Sequence, residues 1–310
     1  MKAVRMHSRG GPEALFYEDA PVPTMAEGEA LVRVRAAGIT PTEFTWNSTF
    51  TAADRSSRLP VIPSFDVAGV VERAALGTSG PSPGEAVYGL LDFWKDGAAA
   101  EYVAARASDL APKPESLDFV QAAAVPLSGL TAWQSLFDHG RVSQGDRVLI
   151  HGAGGGVGTF AVQLAKWKGA RITATCSKSN APLAQELGAA DVFDYERTNF
   201  EEAGEFDMVL DTVGGDTLER SWRVLRKGGT LVTIVGDAPD EKASIYGVRG
   251  VSLLVQPNRA QLVEMSRLID QGKLRPVISG VYALPDARRA YEKGLAGHSR
   301  GKLVLRISGQ

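Results

Sequence analysis

The sequence predicts an α/β protein, with a β-rich region first and then a doubly wound parallel sheet. Three observations predict it. Residues 1–110 carry short apolar runs cut by glycine and proline, the pattern of a compact barrel-like domain. From Asp146 onward, apolar strand-like runs alternate with stretches of helical apolar spacing, the βαβ order that makes a parallel sheet. Between the first such run, 147–150, and the first such helix, 159–166, stands His151-Gly152-Ala153-Gly154-Gly155-Gly156-Val157-Gly158.

The elements follow in order. A first strand covers 1–7. Residues 29–38 alternate apolar and charged side chains, the period of a half-buried strand. Further strands are expected at 66–72, at 86–89 after the turn Pro83-Gly84-Glu85, and at 99–104. Residues 46–63 form a polar loop containing Trp46 and Phe50, and a loop of that length is more often functional or mobile than neutral. Near 115 the pattern changes to helices at 116–124, with Ser116 as a cap, and at 126–137. Strands at 147–151, 171–175, 207–211, 230–235 and 251–255 alternate with helices at 157–168, 179–187 and 216–226. The tail reads as a helix at 259–271, a strand at 277–282, a helix at 285–295 and a strand at 302–307. Its character matches the first region, which it is expected to rejoin. The domains are therefore 1–120, 121–256 and a completing segment 257–310.

Composition narrows the function. The 310 residues suffice for one large or two medium domains. A formal charge of −2 provides no basic field for nucleic acid or an anionic membrane. No apolar run approaches a bilayer span, and the first residues lack the apolar core of a signal peptide. The single cysteine, Cys176, rules out an internal disulfide and a zinc site built from several thiolates, and suits a reducing cytoplasm. No Ser-His-Asp arrangement or phosphate-transfer lysine motif is evident.

A glycine-rich turn alone is a weak signal that can be only a tight turn, but a strand before it and a helix after it are the context of a dinucleotide site. The glycines let a pyrophosphate approach, and the helix N-terminus offers it unpaired N–H groups. The spacing departs from G-x-G-x-x-G: Ala153 holds the first position, with Gly155 and Gly158 in the others. Gly152, Gly156 and Val157 complete the expected cradle. An NAD site carries Asp or Glu about 20 residues further on, for the ribose 2′-OH. Here the second strand ends Thr173-Ala174-Thr175-Cys176-Ser177-Lys178-Ser179, without a carboxylate. Ser177 can donate to a 2′-phosphate and Lys178 supplies a cation, which favours NADP(H). The alternative is that Ser177 caps the next helix and Lys178 is a solvated charge. Thr212 and Val213, and Val235 and Gly236, end successive strands and are expected against the cofactor. Otherwise they only make turns. Asp211 reads as structural.

The chain resembles the medium-chain dehydrogenase/reductase superfamily, and within it the zinc-independent NADPH:quinone oxidoreductases. The resemblance spans essentially the whole length. It rests on Ala36-Ala37-Gly38-Ile39, Asp66-Val67-Ala68-Gly69-Val70-Val71, residues 123–133, the glycine turn, Asp211-Thr212-Val213-Gly214-Gly215 and Gly301-Lys302. It implies a GroES-like catalytic domain, completed by the C-terminal segment, around a Rossmann domain. It also implies a nicotinamide cofactor in the cleft between them and a homodimer, for which residues 250–255 are a plausible edge strand. Thr131 resembles a family position near the nicotinamide, or caps a helix turn. Tyr195 resembles a tyrosine that contacts the adenosine phosphate, or is a strand-end aromatic. The zinc-dependent members place Cys and His ligands in the first domain. Here that domain has no Cys and only His7, while His139, His151 and His298 are scattered, so no metal is expected. Where many quinone reductases carry Asn and Asp, this chain has Thr40 and Glu43. Thr40 is expected to hydrogen-bond the cofactor or a substrate carbonyl, and Glu43 to set the pocket's polarity. Trp46, Phe50, Phe93 and Trp94 either offer flat surface to a substrate ring or belong to the core. The resulting reading is an NADPH-dependent, zinc-independent reductase of quinones or α,β-unsaturated carbonyls, with no catalytic residue assigned. The alternatives are a pathway-specific enoyl or alcohol reductase and a low-turnover NADPH-binding redox sensor.

Overall fold

A computed structural model describes residues 1–52, 54–75, 77, 80–297 and 300–307. In chain order the first strands are β1 (Lys2–Met6), β2 (Leu15–Asp19), β3 (Glu29–Ile39), β4 (Asp66–Ala74), β5 (Ala86–Leu90), β6 (Tyr102–Arg106) and β7 (Leu110–Pro112). The second series is β8 (Arg147–His151), β9 (Arg171–Cys176), β10 (Asp191–Asp194), β11 (Phe206–Asp211), β12 (Leu225–Thr233) and β13 (Arg249–Ser252). The last two are β14 (Ile278–Ala283) and β15 (Lys302–Arg306). The helices are α1 (Asn47–Phe50), α2 (Phe119–Ala123), α3 (Pro126–Trp133), α4 (Gly156–Lys168), α5 (Ala181–Leu187), α6 (Gly215–Ser221), α7 (Asp240–Tyr246), α8 (Arg259–Asp270) and α9 (Ala287–Leu295).

The chain forms two compact units. Unit 1 takes Met1–Leu127, Pro257–Gly272 and Pro276–Gln310, and unit 2 takes Ser128–Gln256 and Lys273–Arg275. Unit 1 runs past residue 120 because α2 packs on its sheet and the Leu127 N–H donates to Asp66 Oδ1 at 2.5 Å. Lys273–Arg275 belongs to unit 2 because the Gln163 amide holds both the N–H and the C=O of Arg275.

Unit 1 is GroES-like. Its main sheet has the order β14-β15-β3-β4-β5-β7, with β6 also paired to β3, and β1–β2 form a separate antiparallel pair. β3 is the hub, and it is buried almost throughout rather than on one face. Three strands pair along it and α2 presses on it. The approach is so close that a Cβ on Gly38 would stand 2.4 Å from the Ala123 carbonyl. β15 runs antiparallel to β3, from Leu303↔Ile39 to Arg306↔Ala36, so the tail's last strand lies in the first region's sheet.

The expected strand at 99–104 begins instead at Tyr102, because Ala99 accepts the Val4 N–H and Ala100 bridges Ala3. The 46–63 segment is not a bare loop. It contains α1 and is pinned by the Arg58 guanidinium, which donates to the carbonyls of Ser48, Thr49 and Phe93.

Unit 2 is a six-stranded parallel sheet of order β10-β9-β8-β11-β12-β13, the doubly wound arrangement, with its switch between β8 and β11. Leu149, Phe206, Val209, Trp222 and Leu231 form part of its core. The helix expected at 126–137 is α-helical only to Trp133 and continues as a wider π turn over Gln134–His139. The helix expected at 216–226 ends at Ser221, and the chain enters β12 at Leu225. The edge strand is Arg249–Ser252 rather than 251–255, and β2, β7, β10 and α7 were not expected.

Candidate functional site

Parallel register brings the expected cofactor residues of unit 2 to one sheet edge. Asp194 pairs with Cys176, His151 with Thr175, Leu210 with Ile150, and Asp211 with Thr233. Tyr195, Ser177, Gly152, Thr212 and Val235 therefore follow the C-terminal ends of successive strands, where open α/β sheets bind ligands.

The glycines at this edge have separate tasks. Gly152 has a φ of +71°, and a Cβ there would sit 2.3 Å from Thr212 Oγ1, which donates to the His151 carbonyl at 2.8 Å. A Cβ on Gly158 would stand 2.2 Å from the Gly152 carbonyl, so only glycine lets α4 lie against the turn. Gly154, to which the sequence attached no role, packs against the Asn180 amide. Ala153 is wholly buried and donates its N–H to Thr175, so its side chain fills the core side of the turn. Gly155 is the N-cap of α4 and has no side chain to offer. The first-turn N–H groups, including those of Gly156 and Val157, stay open to an anion.

Asp211 is structural, as expected. It is fully buried, takes the N–H groups of Val213 and Gly214 at 3.1 and 3.0 Å, and accepts from Thr233 Oγ1 at 2.8 Å. This turn leaves Val213 55% exposed, and Val235 at the neighbouring strand end is 51% exposed. Gly236 is also exposed, with Leu218 beneath it. Thr131 is buried within α3.

His151 is buried under Phe200, and burial lowers its imidazole to about 4. Ser221 Oγ commits its proton to the Thr217 carbonyl at 2.6 Å, so its oxygen receives the His151 Nε2–H at 3.1 Å. Nδ1 is then the acceptor for the Thr175 hydroxyl at 2.9 Å. This histidine is a satisfied neutral core residue.

At the far end of the edge, Ser177 Oγ meets Ser179 Oγ at 3.1 Å and does not cap the following turn, which removes the capping alternative. Lys178 is exposed and in no ion pair among the described residues, and Tyr195, after the neighbouring strand β10, is exposed as well.

In unit 1, Glu43 does not line an open pocket as expected. It is completely buried, because the turn Pro41–Thr45 folds it inward. Its carboxylate accepts from Tyr291 Oη at 2.5 Å and from the Ser64 N–H at 2.9 Å, and Ser64 Oγ lies 3.0 Å from Tyr291 Oη. Burial pushes the Glu43 carboxyl up to about 7, against the pull of these hydrogen bonds. Burial also raises the Tyr291 phenol well above its usual range.

Beside this group, Lys302 Nζ sits 2.7 Å from Asp66 Oδ2 and donates to Thr40 Oγ1 at 3.0 Å. Trp46 stacks near Phe65, and Phe93 meets both edge-on. Phe50 leaves the expected set: α1 turns it inward, 4% exposed, under the Arg9 guanidinium. Trp94 stands exposed and outside the trio.

Comparison with known proteins agrees with this architecture. Residues 26–115 match the alcohol dehydrogenase GroES-like domain, and residues 187–305 match the zinc-binding dehydrogenase family. A mitochondrial NAD(P)H oxidoreductase of Danio rerio is 31% identical over 94% of this chain and 87% of its own. The 2-methylene-furan-3-one reductase of Solanum lycopersicum is 33% identical over 98% of this chain and 79% of its own. The structure of the quinone oxidoreductase from Coxiella burnetii superposes with a TM-score of 0.92 at 33% identity, covering 99% of both chains. The chain belongs to the medium-chain dehydrogenase/reductase family, in its quinone oxidoreductase-like group.

Like the relatives named for NAD(P)H, this oxidoreductase has an edge suited to a nicotinamide cofactor. The second family is named for zinc. A catalytic zinc takes three protein ligands. His7 is half-exposed on Glu18, His151 is committed inside unit 2, and His298 lies outside the described residues. Among the described residues, no three His, Cys, Asp or Glu side chains gather to hold a metal ion. Nor is any helix among them long and apolar enough to cross a membrane.

Sequence reasoning missed Lys302, Asp66, Ser64 and Tyr291 as a cluster. Asp66 and Lys302 stood in the matched segments with no role attached. Tyr291 carried no signal at all.

Proposed function

We propose that this oxidoreductase is an NADPH-dependent, zinc-independent reductase acting on a quinone or an α,β-unsaturated carbonyl. The observation that carries the cofactor choice is the end of β9, where Ser177 and the exposed Lys178 follow Cys176 with no carboxylate from Thr173 to Ser179, and Tyr195 follows the neighbouring strand β10. A carboxylate would repel a 2′-phosphate, whereas a hydroxyl and an ammonium attract it. The backbone N–H groups of Gly156 and Val157 hold the pyrophosphate, while that of Gly155 closes the turn on the Gly152 carbonyl. Thr131, Val213, Val235 and Gly236 serve the nicotinamide end. The bound cofactor supplies hydride. Two relatives named for a quinone and for 2-methylene-furan-3-one support a conjugated acceptor. Thr40 meets the acceptor's oxygen, and Trp46, backed by the buried Phe65 and Phe93, offers its ring a flat apolar surface.

The experiment is NADPH and NADH oxidation with a quinone and an enone, with and without chelator. Turnover with NADPH, unaffected by chelator, is expected. Preference for NADH overturns the cofactor assignment, chelator-sensitive turnover overturns zinc independence, and no turnover with either acceptor overturns the reaction class.

We also propose a homodimer in which β13, the outer strand of its sheet, pairs with its twin. A monomer by light scattering at high concentration sinks that arrangement. A reducing, cytoplasmic setting suits the single buried thiol of Cys176, and fractionation of the tagged chain tests it.

A further inference from the structure

Thr40, Lys302 and Asp66 come from the ends of three adjacent strands. The register sets Leu303 opposite Ile39 and Asp66 opposite Gly38, so Lys302 and Thr40 are neighbours across β15 and β3. Asp66 lies on the far side of β3 and reaches Lys302 over Gly38. A Cβ on Gly38 would stand 2.8 Å from both Asp66 Cβ and Oδ2, so a side chain there would close the path. Asp66 Oδ1 accepts the Leu127 N–H, and Oδ2 is ion-paired with Lys302.

An ammonium has no lone pair, so the bond between Lys302 and Thr40 has one polarity: Nζ donates and Oγ1 accepts. The Thr40 proton must point elsewhere. A threonine before a helical turn ordinarily caps it, but Thr40 makes no side-chain cap to Pro41–Thr45. Among the described residues none accepts its proton, and Thr40 is half-exposed. The result is a hydroxyl whose oxygen is occupied by a cation and whose proton is available. Donation from an ammonium polarises that O–H and strengthens it as a donor. The side chains of Lys302 and Asp66 are 6% and 0% exposed, and a buried ion pair is poor value for stability compared with apolar packing.

We propose that Lys302, anchored by Asp66, is a positioning residue that aims and polarises the Thr40 hydroxyl toward the carbonyl oxygen of the acceptor. This rests on the reductase reading above. When an enone takes hydride at its β-carbon, the C=C electron pair moves to the carbonyl oxygen as an enolate. Thr40 hydrogen-bonds that oxygen and keeps its proton, and the α-carbon then takes a proton from water. The donor is strongest where the negative charge appears.

The test is a cycle between Thr40→Val and the neutralised pair Asp66→Asn/Lys302→Met, which avoids stranding a buried charge. Steady-state rates with NADPH and cyclohexenone are read alongside the infrared carbonyl stretch of cyclohexenone bound to the NADP+ form, where no turnover occurs. The neutralised pair is expected to lose at least tenfold in kcat with NADPH affinity unchanged, and to shift the carbonyl stretch upward toward its position in Thr40→Val. In the Thr40→Val background the same pair changes kcat less than twofold and leaves the stretch in place, while Thr40→Ser retains most activity. Equal losses in both backgrounds, or an unmoved stretch, overturn the positioning role. A wild-type protein that binds NADPH but reduces no acceptor overturns the reaction class, and this proposal with it. If the triple variant does not fold, Lys302→Arg decides: the proposal requires retained folding and a displaced stretch, and an unmoved stretch overturns it.

Discussion

The two units build their candidate residues from opposite materials. Unit 2 uses backbone: glycines, open N–H groups and strand ends in parallel register. Unit 1 uses buried polar side chains drawn from distant parts of the chain. Both units also bury a titratable group, and burial disfavours the charged form of each, yet it moves the two in opposite directions. Glu43 rises to about 7, whereas His151 falls to about 4. The same loss of water disfavours an anion in one place and a cation in the other. A backbone device is sensitive to added volume, and a buried side-chain device is sensitive to protons.

The largest expected effect tests the backbone half. Gly158→Val places its first carbon 2.2 Å from the Gly152 carbonyl and 2.7 Å from the Ala153 Cα, and two methyl groups beyond that. We expect a stability loss of about 3 kcal/mol and loss of measurable NADPH binding by fluorescence titration. Gly155→Ala meets only the Gly152 carbonyl, at 3.4 Å. It should fold within about 1 kcal/mol of the wild type, the scale of an N-cap change, while weakening NADPH. Equal damage from both would show that the turn is generally intolerant rather than built around a single close approach.

The second effect tests the side-chain half through pH. Glu43 carries a proton in the folded state that the unfolded chain releases between about 4.5 and about 7, so its contribution to stability is lost as pH rises through that window. His151 refuses a proton that the unfolded chain binds between about 4 and 6.5, so its contribution is lost as pH falls. Each slope amounts to as much as about 3 kcal/mol, and the two oppose each other. Denaturant titrations at pH 5 and pH 7 should therefore find the wild type nearly level. Glu43→Gln should gain stability with pH relative to it, and His151→Asn should lose it. Parallel curves for all three proteins would refute the assigned protonation states.

The same contrast explains what was legible in the sequence. The βαβ alternation, the glycine turn and the strand ends are local patterns, and parallel register turns them into one edge. β10 escaped notice because Asp191–Asp194 is short and half-buried, without a clear apolar face. α7 escaped because its seven residues are mostly polar. In unit 1, the position of Glu43 in a matched segment suggested a pocket, but its burial depends on Tyr291, 248 residues away. Lys302 reaches Thr40 from 262 residues away, through a strand register that no local period announces. Side-chain clusters of this kind become readable only once the pairing of β15 with β3 is known.

The smallest effect concerns the one place where unit 2 relies on side chains. Lys178 is exposed at the end of β9, so solvent and salt weaken its pull on a phosphate. Lys178→Ala should raise the NADPH dissociation constant about tenfold, within the range of one charge-assisted contact. It should leave NADH, which lacks the 2′-phosphate, unchanged. The gap between wild type and variant should narrow as salt is raised, because an exposed charge acts through a screened field. A matching loss for NADH would mean that the lysine supports the fold of the edge rather than reading the cofactor, and the cofactor preference would then rest on Ser177 and Tyr195. An unchanged NADPH affinity would make Lys178 a solvated charge and leave the 2′-phosphate to Ser177 and Tyr195, with no charged side chain in unit 2's binding device.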